Sequence, residues 1–309
     1  MEIFLLLAGF VALFLSGNWL VISSVQIARR FKISTFVIGI TIVAFGTSAP
    51  ELLVSLKAVY RGSPDISIGN VVGSNIANIA LVLGFVAIIF PIKVKNSGIW
   101  RDWGVMMLAS FMLFFFSRNF KLDFFEGIVL ISALVIYLSW IIIASRNNRK
   151  GEVISVPPTM NMWKAIGLFC IASIGLFFGA EWLVKGAREI ALKLGVSERA
   201  VGISIVAFGT SVPELATSII AALRKETDIS IGNIIGSNIF NIWAILGITS
   251  TIKTININPE IYRIDYWWMI GVSALLMLLI IPLSKGEISR WKGIVLGAVY
   301  VSYIYLLFT

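Results

Sequence analysis

Long hydrophobic stretches separated by short polar segments run along the whole chain. Each stretch can cross about 30 Å of hydrocarbon as an α-helix, because a helix rises about 1.5 Å per residue. We count about ten such spans, at roughly 3–28, 34–59, 66–91, 101–117, 124–145, 163–192, 198–222, 229–252, 265–283 and 291–308. The pattern predicts an all-α integral membrane protein with ten transmembrane helices.

The hydrophobic pattern occurs twice. Residues 38–84 and 201–247 align without a gap at an offset of about 163 residues, and about 29 of their 47 positions are identical. We divide the chain into a five-helix repeat at 1–145, a polar linker at 146–161 and a second five-helix repeat at 162–309. Because five is odd, the second repeat enters the membrane from the opposite side. We therefore predict inverted-topology repeats, with broken helices and a site near the midplane.

Two acidic residues stand apart from the other fourteen or so, which lie mostly in loops and at span ends. Glu51 and Glu214 occupy matching positions near the middle of a span in each repeat. A carboxylate at that depth costs at least a few kcal/mol, so each should face a cavity or a cation. Together they offer two negative charges, which one divalent cation would neutralise.

The residues before each glutamate break the helix and add oxygen atoms. Proline has no N–H, so GTSAPE at 46–51 and GTSVPE at 209–214 must bend, and backbone carbonyls near the break become available. Candidate hydroxyl ligands are Thr47, Ser48, Thr210 and Ser211. The alternative is that each Ser-x-x-Glu is only a capping box that starts a half-helix.

The next span of each repeat carries a polar stripe. In the first repeat it consists of Asn70, Ser74 and Asn78, and in the second of Asn233, Ser237 and Asn241; a spacing of four residues places each set on one helix face. Such residues can simply hydrogen-bond between packed helices. For Ser74, Asn78, Ser237 and Asn241 we favour a role as neutral oxygen ligands beside the glutamates, because an oxygen-only site needs more than two carboxylates.

Composition narrows the chemistry. Hydrophobic residues make up 58% of the chain and charged residues 13%, and the net charge is +9. The basic residues are scattered among loops, which argues against nucleic acid. With the N-terminus outside, about 15 of the 25 Lys and Arg residues lie inside, a positive-inside bias. The chain has no histidine and one cysteine, so oxygen ligands for calcium, sodium or magnesium remain.

The paired motifs, GTSAPE with GNVVGSNIAN and GTSVPE with GNIIGSNIFN, closely resemble the alpha repeats of the sodium/calcium exchanger branch of the calcium/cation antiporter superfamily. The resemblance implies that Glu51 and Glu214 are the main calcium ligands, aided by Thr47 and Thr210. It also implies exchange of about three sodium ions for one calcium by alternating access, with the first and sixth helices sliding over the rest. The sodium sites that it implies involve Ala44, Ser48, Ser74, Asn78, Ala207, Ser211, Ser237 and Asn241.

The sequence leaves rival functions open. The same fold could exchange protons for calcium or another divalent cation, or form a cation channel. An intramembrane enzyme is disfavoured, because no HExxH, GxSxG or paired catalytic Asp pattern lies in a span. Neutral Asn241 disfavours potassium dependence, since some potassium-dependent relatives carry Asp there. We expect no cofactor, no regulatory domain between the repeats, a monomer in the plasma membrane, and Na⁺ and Ca²⁺ as transported ions.

Overall fold

A computed structural model describes residues 1–93, 98–148, 158–195, 207–280 and 287–308. Within these ranges the chain is almost entirely helical. The helices of the first half are α1 (Glu2–Phe31), α2 (Thr35–Thr47), α3 (Ala49–Tyr60), α4 (Asp65–Ile89), α5 (Ile99–Asn119) and α6 (Phe124–Asn148). Those of the second half are α7 (Met162–Lys193), α8 (Ala207–Thr210), α9 (Val212–Leu223), α10 (Thr227–Ile252), α11 (Ile261–Ile280) and α12 (Arg290–Phe308).

Two pairs of very short strands join loop segments at the ends of the helices. Strand β1 (Ile92–Lys93) pairs antiparallel with β4 (Glu287–Ile288), and β2 (Lys121–Leu122) pairs antiparallel with β3 (Ile255–Asn256). The sequence did not predict them, because two residues carry no periodic signal. Each pair links the first half of the chain to the second.

Seven of the described helices are long and apolar enough to cross a membrane, or eight if α2 and α3 are taken as one bent span. The protein is thus a multi-pass membrane protein, as the hydrophobic pattern predicted. The count of ten spans stays a prediction, because residues 196–206, the start of one predicted span, lie outside the described ranges. The linker at 146–161 is described only in part.

Local sequence explains where the bent span begins and breaks. Helix α1 ends where Lys32 adopts a left-handed backbone conformation with φ of 56°. Helix α2 then begins after Ser34, whose hydroxyl accepts a hydrogen bond from the Val37 N–H at 3.1 Å. Helices α2 and α3 meet at Ser48 with a bend of 41°, because Pro50 cannot donate the next helical hydrogen bond.

Several helices contain widened, π-helical turns. These turns cover Gly39–Val43 in α2, Asn78–Leu83 in α4, Asn241–Leu246 in α10 and Ile261–Asp265 in α11. The turns in α4 and α10 start at positions that the repeat makes equivalent, Asn78 and Asn241. Such turns shift the helical hydrogen-bond pattern by one residue and often occur at functional sites.

The most extensive contact between described elements is the one between α1 and α7. The two helices are antiparallel, because Gly9 lies against Leu183 whereas Gly186 lies against Glu2. A Cβ built on Gly9 would lie 2.5 Å from the Leu183 nitrogen and 2.7 Å from the Gly179 carbonyl oxygen. Glycine is therefore required here by close backbone approach, as is common between membrane helices. At one end, Lys193 Nζ lies 2.9 Å from Glu2 Oε1.

Candidate cation-binding site

The two predicted site glutamates, Glu51 and Glu214, lie in the first turns of the half-helices α3 and α9. Each lies one residue after a proline in the first helical turn. Both side chains are completely buried, and the Glu214 carboxyl group accepts a hydrogen bond from Ser48, three residues before Glu51. No lysine or arginine in the described ranges forms an ion pair with either of them. The structure thus brings two buried carboxyl groups together without a basic partner.

The Glu214 carboxyl group has partners on one oxygen only. Its Oε1 accepts hydrogen bonds from the Ser48 hydroxyl at 3.3 Å and from the Ser237 hydroxyl at 3.4 Å. Its Oε2 has no partner among the described residues, and neither oxygen of Glu51 has one. An unpaired polar atom in such a setting is costly, so these three oxygens have the property expected of cation ligands.

Thr47 and Thr210 make equivalent contacts across the two halves. Thr47 Oγ1 lies 3.4 Å from Ser237 Oγ and donates to Asn233 Oδ1 at 3.0 Å. At the equivalent place in the other half, Thr210 Oγ1 lies 3.3 Å from Ser74 Oγ. The predicted threonine and serine candidates therefore meet in crosswise pairs. Ser211, which is buried, has no partner on its hydroxyl oxygen among the described residues.

Asn78 and Asn241 each have one hydrogen-bonded and one unpaired end. Asn78 Nδ2 donates to Asn238 Oδ1 at 3.1 Å, and Asn241 Nδ2 donates to Asn75 Oδ1 at 3.0 Å. Their own Oδ1 atoms are buried and have no partner in the described part of the chain. The π-helical turn that begins at Asn78 contacts α9, and the turn that begins at Asn241 contacts α3, so both approach the glutamate-bearing helices.

The two predicted alanine positions fit less directly. The Ala44 carbonyl oxygen accepts the Ser48 N–H at 2.9 Å, and the Thr47 hydroxyl, whose one hydrogen is nearer to Asn233 Oδ1, lies 3.3 Å away. Its role as a ligand stays a prediction. Ala207 is the first residue of α8.

Two asparagines that the sequence placed in the polar stripes, without assigning them a role, support the candidate ligands. Asn70 Nδ2 lies 3.3 Å from Ser55 Oγ and 3.4 Å from the Glu51 carbonyl oxygen, so it joins α4 to α3. Its repeat mate, Asn233, makes the same contact with Ser218 at 3.4 Å. The available signal was their identity in both repeats, which marks a shared structural requirement.

The arrangement is suited to a hard cation. The described residues contain no group of three or more His, Cys, Asp or Glu side chains that could hold a metal ion. The site instead combines two carboxyl groups with hydroxyl and amide oxygens, a set typical of calcium and sodium rather than zinc or copper. Glu181, the other glutamate inside a long apolar stretch, is exposed on α7 and lies outside this group.

Comparison with known proteins agrees with this geometry. Residues 1–143 and 164–309 match the family described as sodium/calcium exchanger protein. The chain belongs to the sodium/calcium exchanger family. This is a family of transporters and not of enzymes. The match includes both repeats and every candidate ligand named above.

Members of the sodium/calcium exchanger family resemble the chain over nearly its whole length. The sodium/calcium exchanger MaX1 of Methanosarcina acetivorans is 31% identical and covers 98% of this chain and 97% of its own. An uncharacterized membrane protein of Methanocaldococcus jannaschii is 38% identical, with 96% and 94% covered. The solved structure of the sodium-calcium exchanger NCX_Mj soaked with 10 mM Na⁺ and no Ca²⁺ is 36% identical, covers 98% of each chain and superposes with a TM-score of 0.84.

Proposed function

We propose that this chain exchanges sodium for calcium across a membrane by alternating access, at about three Na⁺ per Ca²⁺. The observation that carries the proposal is the set of buried oxygens without partners in the described ranges. Those at the candidate site belong to Glu51, Glu214, Ser211, Asn78 and Asn241, and others lie elsewhere, on Ser24, Thr217, Ser230 and Ser289. A site that holds two carboxyl groups and several neutral oxygens, with no basic side chain paired to them in the described part of the chain, needs cations to be stable.

Competition between the ions explains exchange. Calcium binds mainly to the carboxylates of Glu51 and Glu214, whereas several sodium ions need those carboxylates together with the hydroxyl and amide oxygens. The empty site does not cross, because two buried carboxylates without a cation are costly. With three sodium ions opposing one calcium, one charge moves per cycle, and about 2.3 kcal/mol per 100 mV of membrane potential biases the direction.

The fold proposed for this mechanism has ten helices in two inverted five-helix repeats. In its support, α1 and α7, which the repeat equates, are antiparallel where they pack. Several hydrogen bonds near the site also occur in pairs related by the repeat, such as those of Asn75 and Asn238. The sliding elements are α1 and α7, packed through glycines. We place the protein in the plasma membrane as a monomer, with the N-terminus outside and no regulatory domain between α6 and α7.

The decisive experiment is calcium-45 uptake by sodium-loaded proteoliposomes, with and without external sodium. Sodium in the vesicles should drive uptake from an external medium that contains choline as its monovalent cation. External sodium should abolish the gradient and the uptake, and replacing the external choline by potassium should change nothing. Uptake that ignores the sodium gradient but follows a proton gradient would support the proton couple instead. Uptake without any counter-ion would indicate a channel.

Variants test the site in the same assay. Glu51→Gln and Glu214→Gln keep the side-chain volume and remove one charge each, so uptake should fall at least about tenfold, since replacing a residue that only supports a metal ligand already costs about 10- to 100-fold. The matched control is Glu181→Gln, another glutamate in a membrane helix, which should retain uptake. Full activity of both site variants would contradict the assignment of the carboxylates.

A further inference from the structure

Four asparagines form a closed amide network between α4 and α10. Asn75 and Asn238, each 1% exposed, donate from Nδ2 to the backbone carbonyl of the other, at 3.2 and 3.3 Å. Their Oδ1 atoms accept from the candidate ligands of the opposite half, Asn241 and Asn78. The network therefore connects each candidate ligand to a residue of the other repeat.

Because each donor must face an acceptor, the hydrogen bonds fix which end of each side-chain amide, the NH₂ group or the oxygen, faces its neighbour. A backbone carbonyl can only accept, so the Asn75 side chain must turn its NH₂ group to the Asn238 carbonyl. Its Oδ1 then faces Asn241, which must present its own NH₂ group in return. The Oδ1 of Asn241 is thereby forced to the side away from Asn75. The same reasoning holds for the other pair. Asn238 turns its NH₂ group to the Asn75 carbonyl, its Oδ1 accepts from the Asn78 NH₂ group, and the Asn78 Oδ1 is therefore turned away from Asn238.

The forced oxygens are the ones without partners. Asn78 Oδ1 and Asn241 Oδ1 are both buried and accept no hydrogen bond from the described residues. If Asn75 were apolar, the Asn241 amide could rotate and present its NH₂ group instead of its oxygen. A donor in that position would repel a cation, so the orientation of Asn241 decides whether it can be a ligand.

We propose that Asn75 and Asn238 are positioning residues that hold the amide oxygens of Asn241 and Asn78, respectively, toward the transported ions. The inference rests on the proposed function for the identity of those ions. Residues that orient ligands in this way usually change ion affinity about 10- to 100-fold when they are replaced. Sodium should be affected more than calcium, because several sodium ions must use neutral oxygens whereas calcium binds mainly to the carboxylates.

The test measures ion-dependent thermal stabilisation of the purified full chain, which reports binding and does not require transport. Asn75→Leu should raise the sodium concentration for half-maximal stabilisation about tenfold and leave the calcium value nearly unchanged. Unchanged values for both ions would overturn the proposal. If Asn75→Leu does not fold, Asn238→Leu provides the equivalent variant in the other half.

A pair of double-mutant cycles separates positioning from a general packing role. If Asn75 acts through Asn241, the variant with both Asn75→Leu and Asn241→Ala should bind sodium no more weakly than Asn241→Ala alone. The matched control cycle combines Asn75→Leu with Asn78→Ala, and there the two effects should add. Additive effects in both cycles, or equal coupling in both, would overturn the proposal.

Thermal stabilisation by ions also separates the failure of the proposed sodium/calcium exchange from the failure of the positioning role of Asn75 and Asn238. Wild-type protein that is stabilised by a divalent cation but not by sodium would contradict the sodium couple. The two cycles would then be run with the stabilising ion. Coupling of Asn75→Leu with Asn241→Ala, together with additive effects of Asn75→Leu and Asn78→Ala, would still support the positioning role. Wild-type protein that none of Na⁺, K⁺, Ca²⁺, Mg²⁺ or Mn²⁺ stabilises would contradict both.

Discussion

Replacing Gly9 by alanine tests the close packing of α1 against α7. The new Cβ would lie 2.5 Å from the backbone nitrogen of Leu183, whereas ordinary contacts begin near 3.4 Å. The helices would have to separate by roughly 1 Å, since backbone atoms cannot rotate away as a side chain can. Overpacking of this kind costs about 1–3 kcal/mol.

The control for Gly9→Ala is Gly167→Ala in α7, where a Cβ would meet nothing within 4 Å. Both changes remove the same helix-interior glycine penalty of about 0.5–1 kcal/mol, so it cancels in the comparison. At roughly 2 °C per kcal/mol for a chain of this length, Gly9→Ala should unfold about 2–6 °C below Gly167→Ala in detergent. Equal melting temperatures would refute the packing argument.

The same pair of variants also tests whether α1 and α7 slide. Gly9→Ala should slow exchange in proteoliposomes, because its methyl group must pass the α7 backbone, while the ion concentrations for half-maximal stabilisation stay unchanged. Gly167→Ala should exchange at the wild-type rate. Exchange by Gly9→Ala at that same rate would argue against sliding along this contact.

Three further substitutions probe single contacts, each read by thermal unfolding in detergent. Tyr137→Phe removes the 3.0 Å hydrogen bond to buried Asp102 and should cost about 1–3 kcal/mol; a smaller loss would mean that water replaces the phenol. Asp123→Ala removes the side chain that accepts the Phe125 N–H at the start of α6 and should cost about 1 kcal/mol, with Asp123→Asn as the near-neutral control. Hydrogen bonds with Glu126 and the Phe125 amide keep the pKa of Asp123 below its usual range, so this contribution should be present at neutral pH and lost as the pH falls through that lowered pKa; a loss that stays the same at every pH from 7 down into the acid range would contradict this. Lys193→Ala should cost less than about 1 kcal/mol, because its ion pair with Glu2 is largely exposed to solvent, and a larger loss would be unexpected.

Most of the fold could be predicted because the two strongest signals in the sequence, the long hydrophobic runs and the repeat of residues 38–84 at 201–247, each extend over many residues. Hydrophobic runs of 20 or so residues gave the positions of α1, α4 and α7 to within a few residues. The proline before Glu51 correctly marked the break between α2 and α3. The π-helical turns and the two-residue strands were missed, since neither has a hydrophobic period of its own.

The candidate ligands could be named from the sequence, but their supports could not. Glu51 stood out because a carboxylate deep in an apolar span has few explanations. Asn75 lies in the same motif as Asn78, but the spacing of four residues that marked Asn78 as a candidate ligand assigned no role to Asn75, so the sequence did not distinguish a residue that orients Asn241 from one that only packs. The distinction depends on which amide faces a backbone carbonyl, and only the three-dimensional structure shows that.

The crosswise hydrogen bonds also have an evolutionary consequence. Contacts in which one position meets a second, and the second meets the first, are those of a homodimer with a two-fold axis. Two separate copies of such a half could have built the same network, but every mutation would then have changed both sides. Within a single chain, a mutation changes one side alone. Here Ser48 donates to Glu214, while neither oxygen of Glu51 has a partner in the described ranges, so the two sides already differ in their contacts although these residues are the same in both repeats.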